Sequence, residues 1–137
     1  MSIVLDGSAT LAWIYPDETT DAIVAVFDQV IHKGAFVPDL WRIEIANCLT
    51  VGVRRSRISA PERSASLFDL ASMGIVTDSE TGKHIWSDTL ELADRHRLTV
   101  YDATYLELAL RLSLPLATLD DELRQAAQRE GVALLGK

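Results

Sequence analysis

The chain reads as a single α/β domain, a central parallel sheet of about five strands flanked by helices on both faces. Three observations predict it. Short apolar, β-like runs alternate with amphipathic stretches from end to end, the pattern of parallel strands joined by helical crossovers. The length of 137 residues is that of one domain and suffices to bury a core without staples. Hydrophobic residues make up 48% and charged residues 24%, values that exclude disorder and collagen-like repeats.

Each element has its own signal. Ile3-Val4-Leu5 is apolar and bounded by Asp6-Gly7-Ser8, which predicts a buried strand running into a turn. Residues 21 to 33 carry Ile23, Val26, Phe27, Val30 and Ile31, a helical stripe that closes at Gly34. Ala35-Phe36-Val37 is a second strand, stopped by Pro38, and residues 40 to 55 form a helix. Ser59-Ala60-Pro61-Glu62 is a capping box, opening a helix with Leu67, Leu70 and Ala71 on one face and its end at Gly74. Ile75-Val76-Thr77 is a third strand. Residues 81 to 96 then place Ile85, Thr89, Leu92 and Ala93 on one helical face. Leu98-Thr99-Val100 leads into a helix from about 102 to 112, which Pro115 breaks. Leu116-Ala117-Thr118 is a further strand. A last helix with Leu123, Ala126 and Ala127 ends at Gly131, before Val132-Ala133-Leu134-Leu135.

Charge and composition narrow the function classes. The formal net charge is −7, so a nucleic-acid partner would have to be drawn by a local basic patch or by bound cations. No apolar run approaches the roughly 18 residues of a membrane-spanning helix. Cys48 is the only cysteine, which rules out an intrachain disulfide and fits a reducing compartment. The start, Met1-Ser2-Ile3-Val4-Leu5-Asp6, has no basic segment and too short an apolar run for a signal peptide. A cytoplasmic protein is expected.

In open parallel sheets the functional crevice lies beyond the carboxyl ends of the strands. Asp6 follows the first strand, Asp102 lies just past Leu98-Thr99-Val100, and Asp120 follows Leu116-Ala117-Thr118. The three acids are therefore expected on one rim of the sheet, where each could also serve as a helix N-cap. Glu44 lies on the predicted helix of residues 40 to 55, in a stripe with Leu40, Ile43, Cys48 and Val51. A carboxylate in an apolar stripe is either solvated or met by something cationic. Four converging carboxylates without lysines repel one another, and a divalent cation relieves the repulsion. An all-oxygen set suits Mg²⁺ or Mn²⁺ and argues against zinc. The chemistry of such a site is in-line hydrolysis of a phosphodiester by metal-activated water.

Val4-Leu5-Asp6-Gly7-Ser8-Ala9, Pro38-Asp39-Leu40-Trp41 with Glu44-Ile45-Ala46-Asn47, Tyr101-Asp102-Ala103-Thr104-Tyr105 and Leu116-Ala117-Thr118-Leu119-Asp120 together resemble a PIN domain, in particular the VapC-type ribonuclease toxins of bacterial toxin–antitoxin pairs. They stand in the family's order and span nearly the whole chain. The resemblance implies an RNA endonuclease dependent on Mg²⁺ or Mn²⁺, with Asp6, Glu44, Asp102 and Asp120 as catalytic and metal-holding acids. It also implies that Ser8 and Thr118 tie the acids into a hydrogen-bonded network. The expected partners are RNA, a small VapB-like antitoxin and a second copy in a homodimer. The doublet Asp120-Asp121 leaves the fourth acid open to a shift of one. Strand alternation puts Asp120 on the side of Thr118 and turns Asp121 outward.

Several residues read two ways. Arg54, Arg55 and Arg57 either complement the dipole at a helix C-terminus or grip RNA phosphates, and Arg95-His96-Arg97 has the same two readings. Trp41, Ile45, Leu49 and Val53 form a second apolar stripe beside Glu44, belonging either to the core or to an interface. His32, His84 and His96 have no metal-ligand spacing. A receiver domain would need an acidic pair after the first strand and a lysine after the fifth. A haloacid-dehalogenase-type phosphatase would need Asp-x-Asp where Asp6-Gly7-Ser8 stands, and a Rossmann domain a glycine-rich first turn. The alternatives are a PIN-like module that binds an antitoxin or regulator without catalysis and, behind it, a receiver-type Mg²⁺-binding signalling domain.

Overall fold

The computed structural model describes residues 1–137. Strands β1 (Ile3–Leu5), β2 (Ala35–Val37), β3 (Ile75–Thr77), β4 (Leu116–Ala117) and β5 (Leu134–Leu135) form one sheet in the order β3-β2-β1-β4-β5. Every pairing is parallel. The helices are α1 (Gly7–Ile14), α2 (Asp21–Lys33), α3 (Asp39–Arg54), α4 (Ala60–Ala71), α5 (Thr81–His84), α6 (Leu90–His96), α7 (Val100–Leu112) and α8 (Asp121–Arg129). No helix is long and apolar enough to cross a membrane.

The sheet grows outward from β1 in both directions, with β2 on one side and β4 on the other. That reversal opens a crevice at the carboxyl ends of β1 and β4, the usual place for a ligand in such sheets. All three residues of β1 are fully buried, as a central strand covered on two faces requires. The core continues through Phe27 of α2, Ile45 and Leu49 of α3, Leu106 and Leu108 of α7, and Leu123 of α8. Trp13 stacks on Phe27 with ring centroids 4.5 Å apart, fastening α1 to α2.

Several local expectations are corrected. Asp6-Gly7-Ser8 does not form a turn: Asp6 caps α1, which begins at Gly7. Leu98-Thr99-Val100 is not a strand either. The Thr99 hydroxyl accepts from Asp102 N at 3.1 Å, so the helix starts at Val100 and Asp102 lies in its first turn. The stripe of α2 ends at Val30, leaving Ile31 exposed. Between α5 and α6, residues Ile85–Thr89 form a π-helical turn. The extra residue keeps Thr89, Leu92 and Ala93 buried but moves Ile85 to a half-buried position.

Of the two readings open for each stripe of α3, the structure takes core for the Trp41 stripe and surface for the Glu44 stripe. Trp41, Ile45, Leu49 and Gly52 face the core, with Val53 half-buried beside them. The stripe with Glu44 lies at the surface, with Leu40 and Val51 half-buried and Ile43 and Cys48 exposed. An indole needs a partner for its N–H, and Trp41 finds one in the Thr10 hydroxyl at 3.0 Å. Thr10 in turn donates to the Asp6 carbonyl at 2.8 Å, so α3 is pinned to the end of β1.

Candidate functional site

Asp6 emerges at the carboxyl end of β1, only 5% exposed. Its Oδ1 accepts from Ala9 N at 3.0 Å, which caps α1. The Ser8 hydroxyl donates to the same carboxylate at 2.7 Å, and the Thr118 hydroxyl, arriving from the end of β4, donates to Oδ2 at 2.5 Å. Ser8 Oγ accepts from Leu119 N at 2.9 Å, and Thr118 Oγ1 accepts from Asp120 N at 3.1 Å. Ser8 and Thr118 thus lock two strand ends together around one carboxylate, that of Asp6, and touch no other acid's side chain. Asp120 caps α8, its Oδ1 accepting from Leu123 N at 2.8 Å.

The four predicted acids come together. Asp6, Glu44, Asp102 and Asp120 line one cavity of about 210 Å³ with Ser8, Cys48 and Tyr105. Asp121 turns away, exposed, and binds Lys137 Nζ at 2.6 Å. No lysine, arginine or histidine lines the cavity, so the charges there are uncompensated. Burial pushes the Asp6 carboxyl up to about 6, against the downward pull of Ala9 N, Thr118 and Ser8. Glu44 is raised by burial and, in smaller part, by the charge of Asp102. Asp102 is raised by burial and by Asp120. Mutual repulsion and desolvation thus act on one set of groups.

Glu44 meets no cation. Its Oε1 accepts the hydroxyl of Tyr105, a residue 61 positions away on α7. Burial, the hydrogen bond to Glu44 and the surrounding carboxylates push the Tyr105 hydroxyl far up, so it remains a donor at any physiological pH. The sequence does place Tyr105 one turn after Asp102. A buried tyrosine must find a partner for its hydroxyl, and that rule was the available signal.

The site's donors are carboxylate and hydroxyl oxygens. Burial and the charge of Glu44 push the Cys48 thiol up, which keeps it protonated and a poor metal ligand. No three His, Cys, Asp or Glu side chains stand in a chelating array. Mg²⁺ needs none, because it is commonly held by one or two carboxylates and keeps several waters. The donor set fits a hard divalent ion.

The arginines at the end of α3 are not equivalent. Arg57 reaches Asp17 at 3.1 Å and Glu18 at 2.6 Å, with its guanidinium 3.7 Å above the Tyr15 ring. Arg54 lies in the last turn and Arg55 caps the helix; both are exposed. Arg95 and His96 both bind Glu130. His84 lies 3.1 Å from Asp88 and 3.7 Å from Glu107, remote from the acidic cavity's lining.

A doubly crossed parallel sheet whose switch point carries four carboxylates defines a class of acidic-site α/β domains, and the comparisons say which. A family model for the PIN domain matches residues 3–129, and the chain belongs to that family. Ribonuclease VapC3 of Pyrobaculum aerophilum is 30% identical over 125 residues, which cover 91% of this chain and 94% of the relative. Two solved structures share the fold. The crystal structure of PAE2754 from Pyrobaculum aerophilum has a TM-score of 0.70 at 23% identity, covering 98% of this chain and 89% of that one. That of FitAcB from Neisseria gonorrhoeae has a TM-score of 0.57 at 21% identity, covering 98% and 96%.

Proposed function

We propose that the protein is an RNA endonuclease dependent on Mg²⁺ or Mn²⁺, and the toxin of a VapBC-type pair. The observation that carries this reading is the convergence of Asp6, Glu44, Asp102 and Asp120 on one cavity without a cation. The similarity to a ribonuclease of the family supports RNA as the substrate. In this reading Asp6, Glu44, Asp102 and Asp120 would hold the ion. Bound there, a divalent ion would supply charge neutralisation and Lewis acidity at the scissile phosphate.

The chain's own residues supply positioning. Ser8, Thr118 and Ala9 N fix the Asp6 carboxylate from three sides, and Tyr105 fixes Glu44. Preset carboxylates spare the site from reorganising when charge develops on the phosphate. The same uncompensated acids would accept an arginine or lysine, so a small antitoxin would inhibit by inserting a basic side chain. Self-association into a homodimer belongs to this reading.

The test is cleavage of single-stranded and loop RNA by protein purified free of partners. Cutting is expected with Mg²⁺ or Mn²⁺ and should stop with EDTA. Asp6→Asn and Asp120→Asn should abolish it, whereas Asp121→Asn should leave it intact and cost at most about 1 kcal/mol of stability. Wild-type protein that cuts no RNA with either ion, or cuts equally well in EDTA, would overturn the reading.

A further inference from the structure

A second cavity, of about 290 Å³, adjoins the acidic one and shares Leu11 and Cys48 with it. The two are neighbouring stretches of one groove along α3. Glu44, Cys48, Val51 and Arg55 lie at i, i+4, i+7 and i+11, a single face of the helix. Glu44 belongs to the first cavity, Cys48 to both, and Val51 and Arg55 to the second. At 1.5 Å per residue this face runs about 16 Å from carboxylate to guanidinium. Gly52 lets the Tyr15 hydroxyl pack against α3, because a Cβ there would stand 2.3 Å from it.

The charges along the groove are opposite at its two ends. The acidic end repels a polyanion, so a strand whose phosphate reaches it must be held by cations elsewhere. The second cavity has two arginines, Arg55 and Arg57. Arg57 is bound to Asp17 and Glu18 and lies over Tyr15. Arg55 is exposed and makes no ion pair. Asn47, also on this wall, adds an amide that can donate and accept.

We propose that this second cavity is the subsite for the single-stranded RNA flanking the scissile phosphate, with the Arg55 guanidinium holding a backbone phosphate. The proposal rests on the nuclease reading and adds the direction in which the strand leaves the acidic cavity. A phosphate contact of this kind strengthens binding without regard to sequence.

The experiment compares Arg55→Glu and Arg55→Lys with Arg129→Glu, a charge reversal of an exposed residue at the end of α8. Steady-state cleavage of a labelled oligoribonucleotide gives kcat and KM, and fluorescence anisotropy in EDTA gives affinity as salt is varied. Arg55→Glu should raise KM at least about tenfold with kcat little changed, and should lower the slope of log affinity against log salt by about 0.7. Arg55→Lys should fall between it and the wild type, and Arg129→Glu should match the wild type. If the wild type cuts and Arg55→Glu behaves as Arg129→Glu does in KM and salt slope, the subsite is wrong and the nuclease stands. If the wild type does not cut yet binds RNA through Arg55, the nuclease reading fails and the subsite survives.

Discussion

Helix α7 carries a half-buried carboxylate in its first turn and a buried one near its middle, and the two meet opposite surroundings. At its start, Asp102 and Tyr105 face the acidic cavity, where no cation answers Asp6, Glu44 or Asp102. Further along, Glu107 is 3% exposed and accepts from Arg111 Nε at 2.7 Å. Arg111 also donates to Asp78 at 2.7 Å, and the Thr81 hydroxyl donates to the same carboxylate at 2.7 Å. Burial works to raise Asp78, but Arg111 and Thr81 outweigh it and hold the carboxyl below its usual range. At the acidic cavity burial wins and the carboxyls rise. One part of the helix pairs its carboxylate with an arginine, and at the other no cation lines the cavity. The difference is the cation: Arg111 answers Glu107 and Asp78, whereas Asp6 and Glu44 are held only by neutral donors.

The largest effect should come from removing an unanswered charge. Asp102→Asn is expected to lower RNA cleavage by several orders of magnitude while leaving unfolding in urea as favourable to the native state as before, or more so, because it relieves repulsion. A variant that cuts normally but unfolds early would place Asp102 with the structural carboxylates. The paired carboxylates should do the reverse. Arg111→Met leaves Glu107 and Asp78 uncompensated and should cost about 3 kcal/mol in urea unfolding, with the specific rate of cleavage per folded molecule preserved.

The pH dependence of stability separates the two surroundings again. The folded protein holds the Asp6 proton to about 6 rather than the ordinary 3.8. The folded state therefore binds more protons than the unfolded one between these values, and Asp6's contribution to stability is lost as pH rises through them. In EDTA the stability of wild type relative to Asp6→Asn should fall between pH 4 and pH 7, by an amount on the order of 3 kcal/mol. Asp78 has the opposite sign: its depressed carboxyl stabilises above the ordinary range and is lost as pH falls. Parallel curves for wild type and Asp6→Asn would show that Asp6 is no harder to ionise than a surface acid.

The smallest effect belongs to Tyr105→Phe, which removes one hydroxyl and leaves the ring. Loss of the hydrogen bond that holds Glu44 should reduce activity or Mn²⁺ affinity about 10- to 100-fold. Unchanged Mn²⁺ affinity would make the Tyr105 contact a packing feature only.

Much of this was legible in the chain because local chemistry set it. The helix of residues 21 to 33 and the capping box at Ser59 and Glu62 appear with the predicted boundaries. The rim positions of Asp6 and Asp120 followed from strand ends, and strand alternation correctly turned Asp121 outward. Long-range pairing was not legible. Nothing near Glu44 announces that its partner is a phenol 61 residues on, and a helix with two apolar stripes does not say which faces the core. Leu98-Thr99-Val100 misled because an apolar triplet with a threonine suits a strand as well as a helix start, and only the Thr99 cap decides.

The proposed role of the acidic cavity is to receive a divalent cation. Thermal unfolding as Mn²⁺ is titrated tests it, since an ion bound only to the native state raises Tm with its concentration. Wild type and Arg111→Met should both show a saturable rise in Tm, and the double variant Asp6→Asn, Asp102→Asn should show none. An equal rise in all three, or no rise in the wild type, would rule that role out.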